Sequence, residues 1–248
     1  MKRVLPLCLP LFLLILWFAV SAIGLIDPLF LPSPQAVAGA LYAGLVSGNL
    51  AADLGVTVLR SIIGFVLSAV IGIPMGLLIG RLPLLSRATQ PTIDFFRSIP
   101  ATALFPLFLF AFGLGDASKV AIVIYACSLI ILVNTAYGAL QVKSARLLSA
   151  KVMGATRAAL FWKVVLPESA PGILAGLRVA LSLSFVLIVV TEMFIGTTVG
   201  LGYQIMNAQL VYRIPDMYAG IVLAGLVGYL GNRSLLVIEH RLLHWVSK

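Results

Sequence analysis

Six stretches of this chain run for roughly the length of a membrane crossing with few or no charges, and no other feature limits the possible folds as strongly. A helix crossing about 30 Å of hydrocarbon needs roughly 20 mostly apolar residues. Residues 4–26, 61–80, 98–115 and 120–142 contain no Asp, Glu, Lys or Arg; residues 171–195 carry only Arg178 and Glu192, and residues 217–238 only Arg233. With 10% of its residues charged against 61% hydrophobic, the chain could not cover a water-facing surface, since a soluble domain carries about 25% charge. The expectation is an all-α membrane protein of about six transmembrane helices. Lys2 and Arg3 before the first run, with Val20-Ser21-Ala22 near its end, suggest a signal peptide. That run exceeds the usual signal core and five more spans follow, so it reads as a retained anchor.

The net charge of +9 does not point to nucleic acid, because the cations stand singly between apolar runs and form no dense patch. They sort by loop instead. Positive residues are kept on the cytoplasmic side of short loops, and with both termini cytoplasmic that side receives Lys2, Arg3, Arg81, Arg87, Arg97, Lys143, Arg146, Lys151, Arg157, Lys163, Arg178, Arg233, Arg241 and Lys248. The outer side keeps Arg60, Lys119 and Arg213, beside Asp27, Asp53, Asp116 and Asp216.

Within the second run, Gly64, Ser68, Gly72, Gly76 and Gly80 recur at every fourth position, which places them on one helix face where a second backbone can approach closely. Pro74 predicts a kink in that run and Pro100 an irregular start to the third. Ser33 before Pro34 fits a helix start, with Ser capping and Pro at the first position. Gly44, Gly48, Asn49 and Asp53 argue against a further span before Arg60. Cys8 and Cys127 lie inside apolar runs and read as buried thiols.

The chemistry inventory excludes more than it offers. There is no phosphate loop of the Gly-x-x-x-x-Gly-Lys-Ser/Thr type, no Gly-x-Ser-x-Gly and no evident carboxylate pair, so a membrane enzyme has no residues to stand on and no catalytic group is assigned. His240 and His244 share a helix face but have no third ligand, and no metal site is expected. Polar groups inside membrane segments usually face protein or water, which makes Arg60, Asn134 and Glu192 the candidates for a translocation pathway. Glu192 reads either as a pathway group or as a hydrogen-bonding group near Thr197 and Thr198, and Arg60 either as an anion-attracting group or as a cation snorkelling to the interface.

The longest predicted cytoplasmic loop, residues 141–171, contains "MGATRAALFWKVVLP", residues 153–167. At 100° per residue Lys151, Arg157 and Lys163 fall at about 0°, 240° and 120°, so the cations surround the axis and one continuous surface helix is a poor description. Gly154 offers a break and Pro167 a limit to the second piece, predicting a bent, compact element.

This loop resembles the cytoplasmic loop of the integral-membrane subunits of bacterial ABC importers: Glu-Ala-Ala, three residues, Gly, nine residues, then Ile-x-Leu-Pro. Leu148, Ser149 and Ala150 stand at the triplet, departing from it in the first two positions; Gly154 is the glycine, and Val164, Leu166 and Pro167 close the pattern. "LPSPQAV", "TVLRSIIGFVLSAVIGIPMGLLIG", "FRSIPATALFPLFLFAFGLGD" and "GLGYQIMNAQ" extend the likeness to the permeases that import sulfonates, taurine, nitrate and related small molecules. The resemblance implies a homodimer in the inner membrane, separate cytoplasmic ABC ATPase subunits that use ATP and Mg, and a substrate-binding protein on the outer side; this chain itself binds no cofactor. It also implies that Ala150, Gly154, Ala155, Thr156 and Arg157 meet the ATPase as a coupling helix, with Leu166 and Pro167 fixing the loop to the membrane helices. The whole of 1–248 then reads as a single permease domain: a first span and outer segment (1–56), a core (57–238) and a cytoplasmic tail (239–248). An ATP-independent secondary transporter or channel is the alternative, although such proteins often carry inverted repeats and none is evident here.

Overall fold

The computed structural model describes residues 5–242. Its first apolar helix, α1 (Leu5–Ile23), leads through a turn to α2 (Pro34–Val46). That second helix starts as its sequence predicts: Ser33 is extended, its hydroxyl accepts the Ala36 N–H at 3.2 Å, and Pro34 occupies the first turn. Next comes α3 (Asn49–Arg81), 33 residues long. It begins well before the apolar run that announced it, because Gly44 and Gly48 fall ahead of its start and its early polar residue Asp53 finds partners inside the protein. The helix runs on through Pro74.

The third expected span is corrected. It is not one helix over 98–115 but a bent pair, α4 (Pro83–Ser98) followed by a 3-10 turn (Ala101–Leu104) and α5 (Phe105–Phe112), bent by 81°. Pro100 causes the break: it has no N–H to donate, and it drives Ile99 into an extended conformation at φ −80°, ψ 119°. The chain continues as α6 (Asp116–Leu140), α7 (Ser144–Val152), α8 (Arg157–Leu160), a π-helical turn (Phe161–Val165), α9 (Leu166–Phe194), α10 (Leu201–Leu210) and α11 (Ile214–Leu242). Among the described residues, four helices are long and apolar enough to cross a membrane (α3, α6, α9 with its preceding turns, and α11), or five if the bent pair counts as one. The apolar part described for α1, Cys8–Ile23, is shorter. Lys2, Arg3 and Lys248, used in reading the termini, and His244, weighed as a metal ligand, lie outside the described residues.

The centre of the fold is the packing of α3, α6 and α9. The small-residue face of α3 lies against α6: a Cβ added at Gly64 would stand 2.6 Å from Val123 Cγ1, at Gly76 2.5 Å from the Leu132 carbonyl oxygen, and at Gly80 2.5 Å from that of Ala136. Both numberings rise together, so α3 and α6 run parallel. α9 runs against both. On α6 its Gly172 sits so close that a Cβ there would meet Gly138 Cα at 2.7 Å, and on α3 the Ser184 and Ser61 hydroxyls bond at 2.9 Å. Backbones this close gain dispersion contacts that lipid cannot match. Cys127, Ile131, Ala180 and Ile188 fill the shared core.

Candidate functional site

Polar chemistry concentrates at the two ends of this bundle. At the end reached by the C-termini of α3 and α6, residues 141–171 form the bent element predicted for them. α7 stops in a paired terminal motif in which the Gly154 N–H donates to the Lys151 carbonyl at 2.9 Å and the Ala155 N–H to that of Ala150 at 3.0 Å. Gly154 has φ +80° with open space where a Cβ would go, so backbone conformation and not crowding calls for glycine. Thr156 then caps α8 by accepting the Ala159 N–H at 3.2 Å, and Arg157 begins that helix. The candidates Ala150, Gly154, Ala155, Thr156 and Arg157 therefore form the corner of a helix–turn–helix unit. Leu148, Val152, Met153 and Trp162 leave large apolar surface exposed around it.

The far side of the loop differs from its expected stop at Pro167. Arg157–Phe194 continues as one 38-residue helical stretch. The π turn accommodates the proline: the Leu166 N–H donates to the carbonyl of Phe161, five residues back, and Pro167 enters as part of the first turn of α9. Leu166 and Phe161 pack on Leu77, Ala139 and Ile173, which ties the loop to α3, α6 and α9. A second tie is Glu168, whose Oε1 accepts from Arg146 Nη1 at 2.9 Å and whose Oε2 accepts the Lys143 N–H at 3.2 Å. One carboxylate in α9 thus holds the N-terminus of α7.

At the opposite end, α3, α6, α9 and α10 are knotted by charge. Arg60 Nη1 lies 2.6 Å from Glu192 Oε1 and donates to the Val199 carbonyl at 3.0 Å, while its Nη2 lies 2.6 Å from Asp116 Oδ1. Glu192 Oε2 accepts from the Thr57 hydroxyl at 2.8 Å and from the Gly202 N–H at 3.1 Å. Asp53 accepts from the Gly200 N–H and from Gln204 Nε2, each at 2.6 Å. The cap residue of α10 is Gly200, which has no side chain to offer, so the helix takes its capping acceptors from α3 and α9 instead. Gly200 stands at φ +124° with the Glu192 carboxylate where its Cβ would be. Arg60 and Glu192 are both buried, and Lys119 beside them is buried with Nζ donating to the Gly115 carbonyl at 3.0 Å.

Two of the three pathway candidates therefore meet, in a hydrogen-bonded ion pair. Arg60 neither snorkels nor sits free for an anion, because two carboxylates already occupy its guanidinium. Glu192 bonds to Thr57, Arg60 and Gly202, not to Thr197 or Thr198. Asn134 stands apart, its Nδ2 donating to the Ile130 carbonyl of its own helix at 2.9 Å and its Cβ against Gly176.

A bundle of apolar spans carrying one bent loop at one end narrows the family, and comparison decides it. Residues 72–246 match the family described as the binding-protein-dependent transport system inner membrane component. The chain belongs to this family. The permease is 31% identical over 238 residues to the taurine transport system permease protein TauC of Escherichia coli (strain K12), covering 94% of this chain and 86% of that one. It is 30% identical over 218 residues to the nitrate import permease protein NrtB of Synechocystis sp. (strain ATCC 27184 / PCC 6803 / Kazusa), covering 84% and 79%. Its fold is shared with the MetNI methionine ABC transporter in an inward-facing conformation, at a TM-score of 0.69 and 21% identity over 79% of this chain and 97% of that one.

As an ABC importer permease, the chain is a transport subunit of the inner membrane. Several of its site residues escaped the sequence reading. Asp53 read only as an outer-side charge in a broken stretch, and nothing in the sequence singled out Thr57, Gln204 or Glu168. A usable signal was present in Asp53-x-x-x-Thr57-x-x-Arg60, which puts three polar groups on one face of a helix entering the membrane.

Proposed function

We propose that this permease imports a small oxyanion-bearing solute, of the sulfonate or nitrate kind, as a homodimer that works with cytoplasmic ABC ATPase subunits and an extracytoplasmic binding protein. The observation that carries the coupling part is the α7–Gly154–α8 corner, exposed in its apolar residues yet fixed to the membrane helices through Leu166 and Glu168. An element that is sticky outside and rigidly tied inside transmits displacement. ATP and Mg belong to the partner ATPase; when its two copies close, the corner moves and α9 moves with it, because α8, the π turn and α9 are one helical stretch. The loop end is then cytoplasmic, as are both termini, and the Arg60–Glu192 knot lies on the outer side.

The solute class follows the relatives, one that carries taurine in its name and one that carries nitrate. Affinity capture of the tagged permease in mild detergent from its native cells tests the assembly. Recovery of the ATPase in about equal amount to the permease is expected. A permease recovered alone contradicts the reading and favours transport without ATP.

A further inference from the structure

Helix α4 is amphipathic in a place where lipid would punish polarity. Arg87, Gln90, Asp94 and Arg97 follow one another at intervals of three, four and three residues, so at 100° per residue they fall within an arc of about 80°. No residue of α4 is buried, and Asp94 and Arg97 are both exposed. Arg97 Nη1 lies 3.8 Å from Asp94 Oδ1, a loose pairing along the same helix.

The helix does not lie across the end of the bundle, where such a stripe could rest at the membrane surface. Leu85 and Ile93 both pack against Ile79, Leu132 and Ala136, and further on the Tyr125 hydroxyl donates to the Phe96 carbonyl at 2.7 Å. α4 therefore climbs alongside α6 from its C-terminal end toward its middle. Tyr125 is nine residues from the start of α6, which at 1.5 Å per residue places Arg97 and the break after it about 14 Å from the end of a helix about 37 Å long. Arg97 and the break therefore stand within the span, alongside the first half of α6.

Two costs then coincide at one depth. Ile99 and Pro100 leave the helix before the 3-10 turn at Ala101–Leu104, and extended backbone inside a bilayer is tolerated only where it is buried in protein or lines water. Charged side chains at that depth obey the same rule. Beside the break is an open groove of about 360 Å³, mostly apolar in its walls (Ile99, Leu129, Ile130, Leu187) but with Arg97, Thr102 and Tyr125 on its surface. Charge, irregular backbone and open volume therefore share one place.

We propose that the Arg87–Gln90–Asp94–Arg97 stripe and the break at Ile99–Pro100 line a water-filled solute path running from the loop end of the bundle into the membrane, and that the Arg97 guanidinium at its inner end holds the oxyanion group of the solute. A guanidinium suits this task because its planar fork pairs with two oxygens of a sulfonate or nitrate at once. Only the naming of the solute rests on the function proposed above; the wetness of the stripe does not depend on it.

The test uses the full chain with Cys8→Ala and Cys127→Ala, carrying Asp94→Cys, Arg97→Cys or the reference Val70→Cys, which is apolar and exposed near the middle of α3. Since α4 buries no residue, its substitutions leave the core intact. Membrane vesicles of both orientations are treated with a charged, membrane-impermeant methanethiosulfonate. Cysteines at 94 and 97 are expected to react at least about tenfold faster than at 70, as water-lined and lipid-lined positions should; equal rates overturn the path, whether lipid or a dry contact with a second copy covers the stripe. In the assembled importer, Arg97→Gln is expected to lower taurine or nitrate uptake by about tenfold or more, with Arg97→Lys keeping part of it. Full uptake by Arg97→Gln overturns the anion-holding role. If the unaltered importer moves neither anion, the solute class and the anion-holding role both fall, while the labelling ratio still decides the path.

Discussion

Glu192 and Arg60, 132 residues apart in the chain, meet in a buried contact at 2.6 Å that joins α9 to α3. Removing one partner of such a pair strands the other charge without water, which costs about 3–5 kcal/mol. Arg60→Met is therefore expected to lower stability in detergent by about that amount. The double variant Arg60→Met with Glu192→Gln should lose less than the sum of the two single variants. Unfolding midpoints of the four proteins in one cycle check this, and strict additivity would argue against the pairing.

The α3–α6 contact predicts a sharp contrast between glycines. Gly76→Val must displace the Leu132 carbonyl and Thr135, both inside 3 Å of the new Cβ, whereas Gly55→Ala meets nothing within 4 Å. Overpacking of a dense core costs about 1–3 kcal/mol or more. Size-exclusion chromatography in mild detergent should show loss of monodisperse protein for Gly76→Val and none for Gly55→Ala.

What could be read in advance was what has a local signature. Apolar runs, the four-residue period of Gly64 to Gly80, the Ser33-Pro34 helix start and the bend at Gly154 each reflect chemistry within one turn or one span. The knot at Arg60 was not legible, because its partners Asp116, Glu192 and Val199 come together only when three helices pack. α4 was missed as a helix for another reason. Its polar stripe looked like loop composition, and the break at Pro100 divided it from the apolar residues that announced a span.

The tether between Glu168 and Arg146 is half in water, with the Arg146 side chain 61% exposed, so its ion pair contributes about 1 kcal/mol at most. Its effect is local. Glu168→Ala is expected to speed amide hydrogen exchange in the first turn of α7, which loses the acceptor for the Lys143 N–H, and to leave exchange in α6 and α9 unchanged. Equal protection in the two proteins would show that α7 is held by other contacts.

At Gly154 the left-handed backbone makes Ala costly by about 1 kcal/mol, while Asn is better tolerated at such positions. Gly154→Ala should therefore fray the end of α7 more than Gly154→Asn does, measured by exchange of the backbone amides at position 154 and at Ala155. Equal exchange in the two variants would mean that the positive φ is not what the position requires.

Whether this corner carries the ATPase's motion into the membrane helices is tested most directly by Gly154→Asp. Nothing stands within 4 Å of where its Cβ would go, and the strain of a side chain at this positive φ is confined to the end of α7. The measurement is ATP-driven solute uptake by the reconstituted importer, compared with the amount of permease in the membrane. Normal insertion with uptake or ATPase association lost is the expected result; normal ATP-driven uptake by Gly154→Asp would contradict the coupling role.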